Sequence, residues 1–226
     1  MTLRPPLAVA AAVALALGAV AACTSGIDYP GQLVGSFDTV LVGQSNSCLQ
    51  FTALPGFCLD GGVGPCGDAG YPDGGSTVLV VSTEADGGYG FVSYQSGAQS
   101  ATSAGTFNGQ TVNTVASATR YFIRNDEPPA DAGCVALVTE TIVLSIYASL
   151  DGGCDGGIPP GPPPTQIQGT WQTQNSPACG VLVDAVVPDA TLCCSNPLGD
   201  GGCTAAVPPP CSVSFALTGQ GRSSPP

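Results

Sequence analysis

The sequence predicts an all-β fold, a disulfide-stapled antiparallel β-sandwich with a β-barrel as the alternative. Three observations predict it. Beyond residue 22 no long stretch keeps apolar residues at the three-and-four spacing of a helix face; short runs of Val, Thr, Ile and Tyr bounded by Gly, Pro, Asn or Asp recur instead. The 32 Gly and 21 Pro of the 226 residues show no period of three, which excludes a collagen helix and calls for many tight turns. Ten cysteines follow Cys23, an even number that suits a stapled extracytoplasmic domain. With 43% of residues apolar and 9% charged, the chain can bury a core and lacks the composition of a disordered segment.

The candidate strands follow in order. Segment 32–42 carries Phe37, Val40 and Leu41 behind Pro30-Gly31. Segment 76–83 is rich in Val and Thr and lies between Asp73-Gly74-Gly75 and Asp86-Gly87-Gly88, and 89–96 resumes after that second turn. Segment 111–124 follows Asn108-Gly109, a strong hairpin signal. Segment 135–149 has the clearest alternation, with Ala136, Val138, Ile142, Leu144 and Ile146 on one face and Glu140 in phase with them. Segments 166–173, 180–187 and 211–219 complete the set, and Asp-Gly-Gly, present six times, reads as turn chemistry.

These elements divide the chain into a leader, 1–22; a tether, 23–30; a main β domain, 31–150; a Gly/Pro-rich loop or linker, 151–165; a Cys-rich β segment, 166–221, assigned to the same body; and a disordered tail, 222–226.

The leader carries one charge, Arg4, and then the apolar run from Leu7 to Val20. That run is too short to cross a bilayer, which takes about 20 residues, and has the length of a signal-peptide core. It ends in Val20-Ala21-Ala22-Cys23, which resembles the lipobox of bacterial lipoproteins: an aliphatic residue, two small ones, then Cys. The resemblance covers the first 23 residues. It implies a lipidated Cys23 thiol, cleavage before Cys23 and a membrane anchor of fatty-acid chains such as palmitate. Thr24 stands where such lipoproteins bear Asp for inner-membrane retention, so the resemblance implies the outer membrane. The body resembles uncharacterised Cys-rich, Asp-Gly-Gly-rich surface lipoproteins of Gram-negative bacteria, which carry no assigned activity.

The disulfide candidates are Cys48, Cys58, Cys66, Cys134, Cys154, Cys179, Cys193, Cys194, Cys203 and Cys211. Four precede residue 150 and six follow it, so each half is able to close its own bridges. Zinc is the rival for such thiols, but no Cys-x2-Cys knuckle and no His is present.

Composition excludes much chemistry. The chain has no His, and its four basic residues are all Arg. Triads with an imidazole, P-loops and Schiff-base lysines are therefore absent. A net charge of −12 leaves no footprint for nucleic acid. Phe37-Asp38-Thr39-Val40 lacks the Gly of an aspartic-protease motif, and Gly62 to Gly67 matches a dinucleotide fingerprint in letters only. The expected role is non-catalytic, a lipid-anchored envelope module with a binding or structural task and a protein or glycan partner. A carbohydrate- or calcium-binding module is the alternative: Trp171 would supply stacking, and Asp68, Asp73, Asp151 and Asp155 lie in Gly-rich loops that suit calcium. No other cofactor or metal is expected. A hydrolase using two carboxylates is a further alternative, and it requires a pocket that holds two of them.

Glu140 is the one internal site the pattern marks. Pairing segments 111–124 and 135–149 in a register whose residue numbers sum to 260 places Arg120 opposite Glu140 as a structural ion pair within the sheet. The functional counterpart is an acid buried in a cavity.

Overall fold

The computed structural model describes residues 27–51, 76–96, 99–123, 133–149, 154, 161–193 and 207–223. It is all-β. Eight strands close into an antiparallel barrel in the order β1-β10-β9-β6-β5-β4-β3-β2. They are β1 (Gln32–Asn46), β2 (Ser76–Thr83), β3 (Tyr89–Ser96), β4 (Gln99–Phe107), β5 (Thr111–Ile123), β6 (Gly133–Ile146), β9 (Pro177–Cys193) and β10 (Cys211–Gly221). The hairpin β7 (Thr165–Ile167) and β8 (Thr170–Gln172) stands apart as a two-stranded sheet.

The sandwich expected from the sequence is therefore corrected to its alternative, the barrel. β1 bonds β2 along one edge and β10 along the other, so first and last strands meet. A sandwich would leave those edges open.

Alternation sorts the strands. On β6 and β9 the even positions face the lumen, so Ile142 stands opposite Leu182 and Leu144 opposite Gly180. Phe37, Leu79, Phe107, Val112, Phe215 and Leu217 join them in the buried core. The outer face carries hydroxyl pairs instead: Ser45 with Ser214 at 2.7 Å, Ser93 with Thr102 at 2.9 Å, Thr111 with Ser145 at 2.7 Å. Such pairs add about 0.2–1 kcal/mol each.

The barrel's two ends differ. At one end lie the β2–β3 and β4–β5 turns, the β7–β8 hairpin and the start of β1. There Asn108 Oδ1 accepts from the N–H groups of Gln110 and Thr111, and Gly109 takes φ +89° to close the expected hairpin. Trp171 packs edge-on against Phe107 with centroids 5.5 Å apart, and Thr173 Oγ1 donates to the Val34 carbonyl, so this end is plugged. The connections 47–75, 124–132 and 194–210 leave from the other end, and most of their residues lie outside the described ones.

Cys48 bonds Cys211 and Cys154 bonds Cys179. The first bridge joins residues 163 apart, so of the pairings the sequence left open, the halves do not close separately. The reason is closure: β1 lies beside β10, which brings Cys48 past the end of β1 next to Cys211 at the start of β10. Cys193 is disulfide-bonded, and its backbone lies opposite that of Cys134. Cys58, Cys66, Cys194 and Cys203 lie outside the described residues, as do Cys23 and the leader.

Segment 166–173, expected as one strand, is broken by Gln168 at φ 50° and Gly169 at φ 77° into the β7–β8 hairpin.

Candidate functional site

The lower lumen is filled by Phe, Leu, Ile and Val. Above it the lumen positions of β4, β5 and β6 become small: Ala101 and Ser103, Ala116 and Ala118, then Ala136. Small side chains on neighbouring strands cannot meet across a barrel of this size, and a cavity of about 180 Å³ remains. It is lined by those residues of β4 and β5 together with Tyr94, Val138, Glu140 and Asp184.

The two acids are direct cross-strand partners. Glu140 on β6 lies opposite Asp184 on β9, and its partner on the other side is Ala116 on β5. Both side chains are buried, Asp184 completely and Glu140 to 8% exposure. The Tyr94 hydroxyl donates to Glu140 Oε1 at 2.9 Å from β3 across the lumen. Like charges directly opposed cost stability, and a buried carboxylate needs donors or a counter-charge. Glu140 and Asp184 both have partners within the protein, and Glu140 has others besides the Tyr94 hydroxyl.

The cavity reaches the surface through the wall. The β4–β5 ladder holds only four pairs, from Phe107↔Val112 up to Ala104↔Val115. Above that the strands diverge, while β4 stays paired to β3 through Gln99 and β5 to β6 through Ile123. Gly105 marks the last point of close approach, because a Cβ there would run into the Asn113 carbonyl. The result is a lateral slot, with Ala101, Thr102 and Ser103 on one lip and Ala116, Ser117 and Ala118 on the other. Thr102, Ser117, Ala118 and Thr119 are exposed.

Of the residues marked by the sequence, Glu140 lies in this cavity. The expected register is corrected. Arg120 stands opposite Ala136, and Glu140 opposite Ala116, a slide of four residues that leaves the face unchanged. The observed register pairs Val112 with Leu144 and Thr114 with Ile142, matching large lumen residues to one another; the expected one would have run Val112 past the end of β6. The Arg120 side chain lies outside the described residues. Asp184 and Tyr94 were not marked by the sequence. Asp184 had a usable signal, since it falls in phase with Leu182 and Val186 in an apolar run.

Trp171, expected as a stacking platform, is half-buried at the plugged end. Among the described residues no group of three or more His, Cys, Asp or Glu forms a metal cluster. The loop residues Asp68, Asp73, Asp151 and Asp155 lie outside them.

No protein family matches the chain, and no curated protein or solved structure matches it.

Proposed function

We propose that this chain is a lipid-anchored protein of the bacterial envelope whose barrel is a non-catalytic binding module. The anchor rests on Val20-Ala21-Ala22-Cys23 behind the apolar run. Two or three acyl chains on Cys23 hold a protein at a membrane where a single chain holds only marginally. Thr24 favours the outer membrane.

The binding role is carried by one observation: a wall slot leads to a cavity backed by Tyr94, Glu140 and Asp184. Eight-stranded barrels are either packed solid or hold one small ligand. Here the residues that would pack the lumen solid are Ala and Ser, while acceptors stand at the back. That chemistry selects a positively charged, hydrogen-bond-donating group over a neutral sugar or an anion. Thermal unfolding of the mature protein with lysine amide or glucose tests this. Lysine amide raises Tm, glucose does not, and Glu140→Gln and Ala116→Leu abolish the rise. Equal responses to both probes, or no response to lysine amide, overturn the reading.

Glu140 beside Asp184 favours one second reading, hydrolysis by two carboxylates. Both acids stand on one wall, whereas an acid and a base must flank the scissile bond. Release of reducing ends from envelope glycan by the purified protein would establish that reading in place of the first.

A further inference from the structure

Three neighbouring strands carry side chains that point out of the barrel and yet are shielded from water. On β2, Leu79 and Val81 belong to the lumen core, so Val80 and Ser82 point outward, and both are fully buried. Ser36 alternates with Phe37 on β1 and Ser93 with Val92 on β3, and these outward residues are buried too. Ser36 stands opposite Val80 and Val80 opposite Ser93, in one continuous row. Elsewhere on the barrel the outward residues Val115, Leu137 and Val187 are about half exposed. Outward side chains lose water in this way only when a second layer lies on the wall.

Ile27 belongs to that layer. It is 8% exposed but is no part of the lumen core. The chain reaches it from β1 by a reversal at Gly31, whose φ of +73° and close approach to the Thr83 carbonyl leave no room for a side chain. Pro30 then shares a surface groove with Phe91, an outward residue of β3. The described end of the tether therefore crosses the end of β2 on the outer side.

We infer that the outer wall of β1, β2 and β3 seats the chain's own tether, Cys23 to Ile27, so that the acylated Cys23 leaves the barrel beside β2 and this wall faces the bilayer. The inference rests on the lipid-anchor reading above and gives that anchor a place on the barrel.

Reach and chemistry both fit. Gly31 to Ile27 is four residues, about 13 Å of extended chain, and Val80 lies three residues, about 10 Å, along β2 from Thr83. With Ile27 held, a further four residues, again about 13 Å, separate the wall from the acyl chains. Ser36 Oγ and Ser82 Oγ are buried with no hydrogen-bond partner among the described residues, a costly state. Thr24 and Ser25 bring hydroxyls to meet them, and Thr24-Ser25-Gly26 is slim enough to lie flat on Ser and Val. Tyr89, 43% exposed and edge-on to Phe91 at 5.2 Å, adds the amphipathic ring that suits a membrane interface. Asp28, Glu84 and Asp86 are exposed near the same end, so the contact suits zwitterionic headgroups rather than anionic ones. The slot between β4 and β5 lies about a third of the way round the ring from β2, turned aside from the bilayer.

Quenching of single tryptophans by brominated lipid chains tests the inference in the acylated mature protein, held in phosphatidylcholine vesicles. Trp171→Phe removes the one native Trp. Phe91→Trp then reports from the wall, and Val181→Trp from β9, four strands away and so directly across the barrel. Both positions are half-buried and outward. Phe91→Trp is quenched several times more strongly than Val181→Trp. Ile27→Asp leaves the lumen core and the circular dichroism intact, frees the tether and brings the two positions to equal quenching. Equal quenching without that substitution, stronger quenching at Val181→Trp, or a ratio that Ile27→Asp leaves unchanged overturns the inference; the last means that another segment, such as 52–75, covers the wall. Equal quenching in a protein whose intact mass shows acyl chains on Cys23 leaves the anchor reading standing. A mass without them ends both.

Discussion

Tyr94 and Glu140 join opposite parts of the barrel through one hydrogen bond, the phenol of β3 donating to the carboxylate of β6 at 2.9 Å. The bond spans the lumen just where small residues leave it unfilled. It fixes the orientation of one acid while Asp184 stands beside it on β9.

Tyr94→Phe removes that donor and leaves the ring. A buried hydrogen bond to a charged group contributes about 1.5–3 kcal/mol. Urea unfolding is expected to show a loss in that range with m unchanged. A loss below about 0.5 kcal/mol would mean that the bond does not hold the carboxylate.

Ala116→Leu places a larger side chain between the slot and Glu140. Because it enters an existing cavity, stability should change by less than about 1.5 kcal/mol. Binding of lysine amide should disappear. Retained binding with an intact fold would move the site elsewhere.

The two described disulfides should differ in effect. Cys48–Cys211 closes a loop of 163 residues and Cys154–Cys179 one of 25. Chain entropy gives about 5 and about 3.5 kcal/mol. Paired Cys→Ala replacements followed by chemical unfolding should give the larger loss at Cys48 and Cys211. The opposite order would contradict the entropic account.

Trp171→Ala opens the plugged end beside Phe107. As the indole is only half-buried, the expected loss is about 2–3 kcal/mol, below the full range for a core Trp. Lysine amide binding should be unchanged, because the slot lies higher in the wall. Loss of binding without loss of stability would restore Trp171 as a ligand platform.

Much of the fold was legible locally. β2 and β3 fall at the residues expected of them because an Asp-Gly-Gly turn separates the Val-rich run of β2 from the aromatic and Val residues of β3; Gly87 at φ 76° and the Asp86 side chain accepting from the Gly88 N–H build the one such turn among the described residues. β5 and β6 follow from Asn108-Gly109 and from the alternation around Ile142. β4 was missed. Its sequence, QSATSAGTF, has only Phe107 as a large apolar residue. The small residues that hid the strand also form a lip of the slot. β9 runs to 17 residues, beyond the expected 180–187, because β6 and β10 both hold it from Ala178 to Val186 and β6 alone carries it on past Pro188. Closure itself depends on β1 meeting β10, a contact that no local pattern encodes. Likewise Glu140 stands out as an acid in an apolar stripe, but its neighbours Tyr94 and Asp184 come from distant segments. The slot depends on where the β4–β5 ladder stops, which is a tertiary outcome.

Amide hydrogen exchange across the β4–β5 seam tests the slot most directly. Alternate amides in 101–103 and 116–119 should exchange fast in the free mature protein, while those of Ala104 to Phe107 and Val112 to Val115 that join the two strands stay protected. Uniform protection along the whole seam in the free protein would mean that the ladder continues and that the barrel wall has no opening.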